Sequence, residues 1–442
     1  MNLRSLAGQL LSREPHSAAL ARLLSKVFRH FWVPKTRPAL AYTPHNHPAK
    51  STTPSQAPLL VLSTMVRSDL ASLPAYVPGA SIDNALKLAS NEATHAPLPS
   101  VLEVIQEAAT GLNRYPDMGA FQLRTAFAAW MNAQAAQAVQ AGQPAQEAQE
   151  AQEAQPTLNL TADNIAVGNG SSALCQQLIQ ATCSHGDEVL FAWRSFEAYP
   201  ILTRIAGATP VQVPLTENLR HDLPAMAAAI TDRTQLIFVC NPNNPTGTTI
   251  TAQEFADFMS EVPERVTVVL DEAYVEYNQA PDQPSLLQAL TQYTNVAVCR
   301  TFSKAYGLAG LRLGYMAGQP ELIQAVNKVG VPFGVNAIAQ AAGLASLEPE
   351  AEAELTQRVK LTIKQRSRLT QWLQQNTDWP VCESEANFVW VGVATKATEL
   401  DAALKKEGIV TRRFAGEGVR ITVTDEKETD RLLAALERVL GS

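Results

Sequence analysis

Short apolar runs recur along this chain, and each breaks off in a polar cluster. They include "DEVLFAW" from Asp187, "TQLIFVCNPNNPTG" from Thr234, "VTVVLDEAYVEY" from Val266 and "NVAVCRTFSKAYG" from Asn295. Such runs do not alternate apolar with polar, so they read as strands buried on both faces. Helical segments such as "ALCQQLIQATC" lie between them. Buried strands joined by helical crossovers predict an α/β fold with a mostly parallel sheet. In such sheets the chemistry gathers outside the strand carboxyl ends, where the polar clusters fall. After "ANFVWVGV" a helix through "ELDAALKKEG", then "VRITVTD" and the helix "ETDRLLAALERVL", predict a small α+β domain.

Composition narrows the classes. The chain has 442 residues, a formal net charge of −7 and 46% hydrophobic residues, enough for a large domain and a smaller one. The mildly acidic balance argues against a nucleic-acid partner. Of the scattered histidines only His45 and His47 are close together, and no other ligand type lies near them, so no metal site is expected. Five dispersed cysteines without a CxxC spacing fit core residues of a cytoplasmic protein. The longest apolar run, "APLLVLSTMV" from Ala57, falls short of the ~18 residues that span a bilayer, so no membrane association is expected.

Two segments stand apart. Residues 1–64 are basic, with Glu14 as their single acid. "ALARLLSKVFRHFW" has the pattern of a basic amphipathic helix, and "TPHNHPAKSTTPSQAP" that of disorder. The segment reads as an extension ahead of a working start at Met65, with an organellar transit peptide as the alternative. Residues 133–156 are an Ala/Gln/Glu tract with helix propensity but no apolar stripe, predicted to be a solvated insertion.

The polar clusters carry the chemical reading. "GNGSS", Gly168–Ser172, is a glycine turn opening a helix, either a plain turn or a place for phosphate. Asn244 in "CNPNNPTG" is a turn asparagine or a group fixed side-on to a ligand by the flanking prolines. Asp271 ends an apolar strand. It either caps a turn or meets something cationic, and Tyr274 follows three residues on. Thr301, Ser303 and Arg312 suit a phosphate dianion. Lys304 between them is a surface charge or a covalent catalyst, since a desolvated lysine beside cations has a depressed pKa. An amine, an acid, an aromatic ring and a phosphate cup together match pyridoxal 5′-phosphate.

"NRYP", "CNPNNPTG", "DEAYVEY", "RTFSKAYGLAGLRLGY", "EANFVW" and "VRITV" occur in this order. The series resembles the class-II, fold-type-I pyridoxal-phosphate-dependent aminotransferases, and more closely the histidinol-phosphate aminotransferase group. "LPAYVPG", "KLASNE" and "FAWRSFEAYP" resemble the actinobacterial aromatic amino acid (phenylalanine) aminotransferases within it. The resemblance spans Met65 to Ser442 apart from the Ala/Gln tract. It implies an arm and part of the small domain at 65–112. A large cofactor-binding domain with a mostly parallel seven-stranded sheet would follow at 113–330, and a small C-terminal domain at 331–442.

It also implies roles. Lys304 would hold the cofactor aldehyde, Asp271 the ring N–H, and Tyr274 and Asn244 the ring oxygen. Phe196 would stack on the ring. Ser171, Ser172, Thr301, Ser303 and Arg312 would bind the phosphate. Tyr115 would reach the cofactor of the other subunit of a homodimer. Arg420 would clamp the substrate α-carboxylate, with Asn91, Asn387 and Arg412 on the substrate side. The sequence departs from the histidinol-phosphate pattern where Ala93 follows Glu92, since many of those enzymes have a tyrosine there. Arg412 and Arg413 stand where those enzymes carry an arginine. The reading is therefore amino transfer between an aromatic amino acid and 2-oxoglutarate, with histidinol phosphate as the alternative donor. A pyridoxal-phosphate decarboxylase and a non-enzymatic aminotransferase-like regulator are the remaining readings. The regulator lacks a helix-turn-helix module in its leader.

Overall fold

In a computed structural model that describes residues 73, 82–141 and 158–441, the chain builds two sheets. It runs β1 (Leu86–Leu88), α1 (Pro99–Ala108), α2 (Phe121–Ala141), β2 (Ile165–Asn169), α3 (Ser171–Thr182), β3 (Glu188–Trp193), α4 (Ala198–Ile205), β4 (Thr209–Pro214), α5 (Leu223–Ala228) and β5 (Thr234–Cys240). Next come α6 (Ala252–Glu261), β6 (Thr267–Asp271), α7 (Leu286–Gln292), β7 (Val296–Thr301), β8 (Leu313–Ala317), α8 (Pro320–Lys328), α9 (Ala337–Ala345) and α10 (Pro349–Asn376). The last elements are β9 (Phe388–Val391), α11 (Ala397–Lys406), β10 (Ile409–Phe414), β11 (Gly418–Thr422) and α12 (Glu426–Leu440).

The large sheet has seven strands in the order β2-β8-β7-β6-β5-β3-β4. Its pairs are parallel except those of β8, which is antiparallel to β2 and β7. Successive residues of one strand feed opposite cores, which explains the unbroken apolar runs. In β5, Leu236 and Phe238 pack into one cluster, and Ile237 and Val239 into the other. Helix α3 covers the first of these faces with Leu174, Cys175, Leu178 and Ile179, all fully buried. Their spacing follows the 3.6-residue turn.

The small sheet, in the order β1-β10-β11-β9, is antiparallel apart from the β1–β10 pair. Its core joins Val389, Ile409, Val419 and Ile421 to Leu432 and Leu436 of α12 and to Leu369 and Leu373 of α10. By packing, α9 and the first turns of α10 sit with the large sheet, since Ala339, Ala342, Ala351 and Leu355 join its core. The sequence reading assigned these residues to the small domain. The close approach relies on Gly343, where an added Cβ would lie 2.7 Å from Leu313.

Helix α2 runs on to Ala141 and buries Ala135, so the tract expected to be solvated from residue 133 begins as a continuing helix. The remainder of that tract and the leader 1–64 lie outside the described residues. Among the described residues no helix is long and apolar enough to cross a membrane.

Phe238 is fully buried at the centre of this sheet, its ring stacked 4.4 Å from that of Tyr199. Phe238→Ala is expected to cost about 3–5 kcal/mol of stability, read as a lower midpoint in denaturant unfolding.

Candidate active site

The carboxyl ends of β2, β3, β5, β6 and β7 share one edge of the large sheet. The reversed strand β8 starts at the same edge, pairing Leu313 with Asn169 and Gly314 with Thr301. A cavity of about 400 Å³ opens there. Residues 89–92, after β1, and Arg412 and Arg420 of the small sheet complete its wall.

One end of the cavity is built for an anion. Helix α3 begins at Ser171, and its N-cap, Gly170, has φ of 76° and makes no side-chain cap bond. The Ser171 and Ser172 N–H groups are therefore left for a ligand, while that of Ala173 donates to the Gly170 carbonyl at 3.2 Å. Two glycines make room. A Cβ on Gly314 would fall 2.4 Å from the Ser171 nitrogen, and one on Gly170 would fall 2.6 Å from Arg312 Nη2. Thr301 Oγ1 donates to Ser303 Oγ at 3.0 Å, and Arg312 Nη1 donates to the same oxygen at 3.3 Å. Arg312 takes the left-handed conformation, with φ of 58°, which costs a non-glycine residue ~1–2 kcal/mol. Backbone N–H groups, two hydroxyls and a guanidinium are a phosphate-binding set.

In the middle of the sheet Asp271 ends β6 and is buried. The Tyr199 hydroxyl donates to its Oδ2 at 2.5 Å, whereas Oδ1 is buried without a partner among the described residues. Burial pushes this carboxyl up to about 6 and Glu272 adds to the rise, against the hydrogen bond from Tyr199. A cationic N–H reaching Oδ1 would reverse that shift.

Half-buried Lys304 follows β7 and donates from Nζ to the Ser90 carbonyl at 3.1 Å. Desolvation, followed by the charges of Arg420 and Arg312, pulls its amine down to about 7, and Glu92 opposes them. Tyr274 lies beside it, with Nζ 5.8 Å from the ring centroid. Burial pushes the Tyr274 phenol up, so it stays protonated, and Asn91 Nδ2 donates to its oxygen at 3.0 Å.

Arg420 is held between the Asn244 side-chain oxygen, at 2.5 Å, and the Ala89 carbonyl, at 2.7 Å. Asn244 thus spends its oxygen on Arg420 and keeps its amide N–H groups for a ligand. Asn91 has φ of 54°, a conformation asparagine tolerates. Thr422 locks it, accepting from its backbone N–H at 3.0 Å and donating to its Oδ1 at 3.1 Å.

The cavity brings together Asn91, Ser171, Ser172, Phe196, Asn244, Asp271, Tyr274, Thr301, Ser303, Lys304, Arg312, Arg412 and Arg420, all singled out in the sequence. Two other expected residues lie elsewhere. Asn387 sits behind Asn91, donating to its carbonyl at 3.2 Å, and borders a smaller neighbouring cleft. Tyr115 is 82% exposed, outside the cavity and beside Phe333. Sequence reasoning missed Tyr199, the Ser90 carbonyl and Glu197, which pairs with Arg412 at 2.7 Å. Tyr199 follows Phe196 by three residues, and that helical spacing was the available signal.

The donor set fits pyridoxal 5′-phosphate. Its phosphate, aldehyde, ring nitrogen and aromatic face each have a complementary group, and Asp271 Oδ1 and the two tight glycines are otherwise unexplained.

The chain is similar along most of its length to proteins of named activity. An aromatic amino acid aminotransferase of Corynebacterium jeikeium is 57% identical over 381 residues, covering 85% of this chain and 94% of that protein. A namesake from Rhodococcus opacus is 47% identical over 84% of this chain and 95% of its own length. Among solved structures, histidinol-phosphate aminotransferase from Sinorhizobium meliloti, in complex with pyridoxal-5′-phosphate, aligns with a TM-score of 0.72 at 27% identity. That match covers 86% of this chain and 98% of the other. The family of class I and II aminotransferases matches residues 83–436, and the chain belongs to it.

Proposed function

We propose that this aminotransferase uses pyridoxal 5′-phosphate to move the amino group between an aromatic amino acid and 2-oxoglutarate. The observation that carries the reading is the pairing, in one cavity, of a lysine amine brought to about 7 with a buried carboxylate oxygen that lacks a partner among the described residues. The curated relatives named for aromatic amino acids support the substrate class.

When bound, the cofactor supplies an electron-withdrawing ring that acidifies the hydrogen on the substrate Cα. Lys304, Asp271, Phe196, Tyr274 and Asn244 would hold its ring and aldehyde. The α3 N-terminus, Thr301, Ser303 and Arg312 would hold its phosphate. Asp271 would keep the ring nitrogen protonated, and Tyr199 fixes the carboxylate by donating to Oδ2. Lys304 Nζ, neutral above about pH 7, would take the proton from the substrate Cα and deliver it, as an acid, to the carbon that carried the cofactor aldehyde, so that the amino group stays behind. Arg420, its plane set by Asn244 and Ala89, clamps the α-carboxylate so that this hydrogen faces the amine. Five unpaired cysteines support a cytoplasmic setting for these steps.

A homodimer belongs to the same proposal. Tyr115, Met118, Phe121, Val331 and Phe333 leave large apolar surfaces exposed. A cleft of about 400 Å³ runs beside them, with Met118 and Val331 in its wall. A patch of this kind marks an interface, and Tyr115 lies in it, where a second copy would receive it.

The activity is tested by mixing the yellow protein with phenylalanine and, separately, with histidinol phosphate. Phenylalanine is expected to bleach the cofactor band, and Lys304→Ala to abolish both band and turnover. Bleaching by histidinol phosphate alone would reverse the substrate assignment. For the cofactor-free protein, the rate of aldehyde uptake is expected to climb with pH to a plateau just above pH 7. An ordinary lysine would still be gaining rate towards ~10.4. Val331→Glu is expected to shift the protein from dimer to monomer in sedimentation velocity.

A further inference from the structure

Two arginines face each other across the small sheet. Arg412 of β10 and Arg420 of β11 are directly opposed in the antiparallel register, and both line the cavity. Like charges directly opposed on neighbouring strands are unfavourable unless something offsets them. Arg420 is spoken for by Asn244 and Ala89. Arg412 instead meets a full negative charge. Its Nη2 and Nε both donate to Glu197 Oε2, at 2.7 and 3.3 Å, and its guanidinium lies 5.7 Å from the Phe414 ring centroid.

Glu197 comes from the large domain's side of the cavity, in the turn between Phe196 and Tyr199 that opens α4. The same turn supplies a ring to the cavity wall and a hydroxyl to Asp271. The Arg412–Glu197 pair is only partly exposed, with side-chain accessibilities of 13% and 30%. Its attraction is therefore less screened than that of a surface pair.

We infer that Glu197 is a positioning residue that sets substrate charge preference by occupying Arg412. With the pair closed, Arg420 takes the substrate α-carboxylate, and beside it lies the neutralised Arg412–Glu197 pair. A side chain without charge sits beside that pair at no electrostatic cost. A substrate with a second anion, such as a distal carboxylate, must first take Arg412 away from Glu197. The pair thus penalises anionic side chains without excluding them, which suits an enzyme whose amino donor is aromatic and whose acceptor is a dicarboxylate. The inference rests on the aromatic reading above.

The test is steady-state kinetics on the holoenzyme with phenylalanine and glutamate as donors. Glu197→Gln keeps the shape and removes the charge. It is expected to raise kcat/KM for glutamate in absolute terms, and relative to phenylalanine by about tenfold or more. It is also expected to lower KM for 2-oxoglutarate. General damage to the site would lower all three rates instead. In the Arg412→Gln background the same substitution is expected to leave the donor ratio unmoved, because its effect runs through Arg412. Glu197→Ala carries the same expectation as Glu197→Gln and replaces it if that variant does not fold. An unchanged or falling ratio in a yellow, phenylalanine-active variant overturns the inference, as does failure of both variants to fold. Wild-type protein that accepts histidinol phosphate but not phenylalanine defeats the aromatic reading itself, and this inference with it.

Discussion

A carboxylate at the end of an interior strand governs this site. Asp271 sits on β6 between β5 and β7, opposite Cys240 and Cys299. Desolvating a carboxylate costs several kcal/mol, and one hydrogen bond from Tyr199 offsets only part of that. The thiols on either side stay neutral. Burial chiefly suppresses the acidity of Cys240; at Cys299 a hydrogen bond with Cys175 opposes the rise, and burial followed by the carboxylates of Asp271 and Glu272 outweighs it. Among the described residues the Asp271 carboxylate's Oδ1 has no hydrogen-bond partner. The apolar core fixes its direction, because Tyr199 is packed between Phe191 and Phe238. Packing of the large sheet is thereby converted into the orientation of one charge.

The cations around the cavity are arranged with the opposite logic. Arg312, Arg412 and Arg420 stay charged under all ordinary conditions, and each is anchored by a hydroxyl, a carboxylate or carbonyl groups. Lysine is the one basic side chain there whose charge can be removed, and two of these guanidinium groups help remove it. Permanent charges recognise anions, while the adjustable one handles a proton.

Much of this was legible beforehand because the strands are continuous in sequence and their polar ends are local features. "TFSKAYGLAGLRLGY" holds the amine, two hydroxyls and the guanidinium in one stretch, and the structure places all of them on one cavity. What escaped depends on three-dimensional register. Glu197 and Arg412 lie 215 positions apart, and the link exists only because β10 meets the turn before α4. Tyr199 was hidden among aromatic residues that also pack the core. Asn387 was placed on the cavity wall, but it lies one layer behind Asn91, since a strand's spacing does not say how deep its side chains sit. The small domain's boundary was misjudged for a similar reason. The residues of α9 are small and apolar, a composition that suits either core, and only the close contact at Gly343 commits them to the larger one.

The clasp between Asn91 and Thr422 has a consequence for how the molecule comes into being. These residues are separated by 331 positions, as are Ala89 and Arg420. Closing so long a loop carries an entropy cost that local contacts cannot repay. During synthesis the bonds from this segment to Arg420 and Thr422 must therefore wait until nearly the whole polypeptide has left the ribosome. The wall that receives Lys304 is then among the last parts to form, and an incomplete chain has no finished site in which to carry out chemistry.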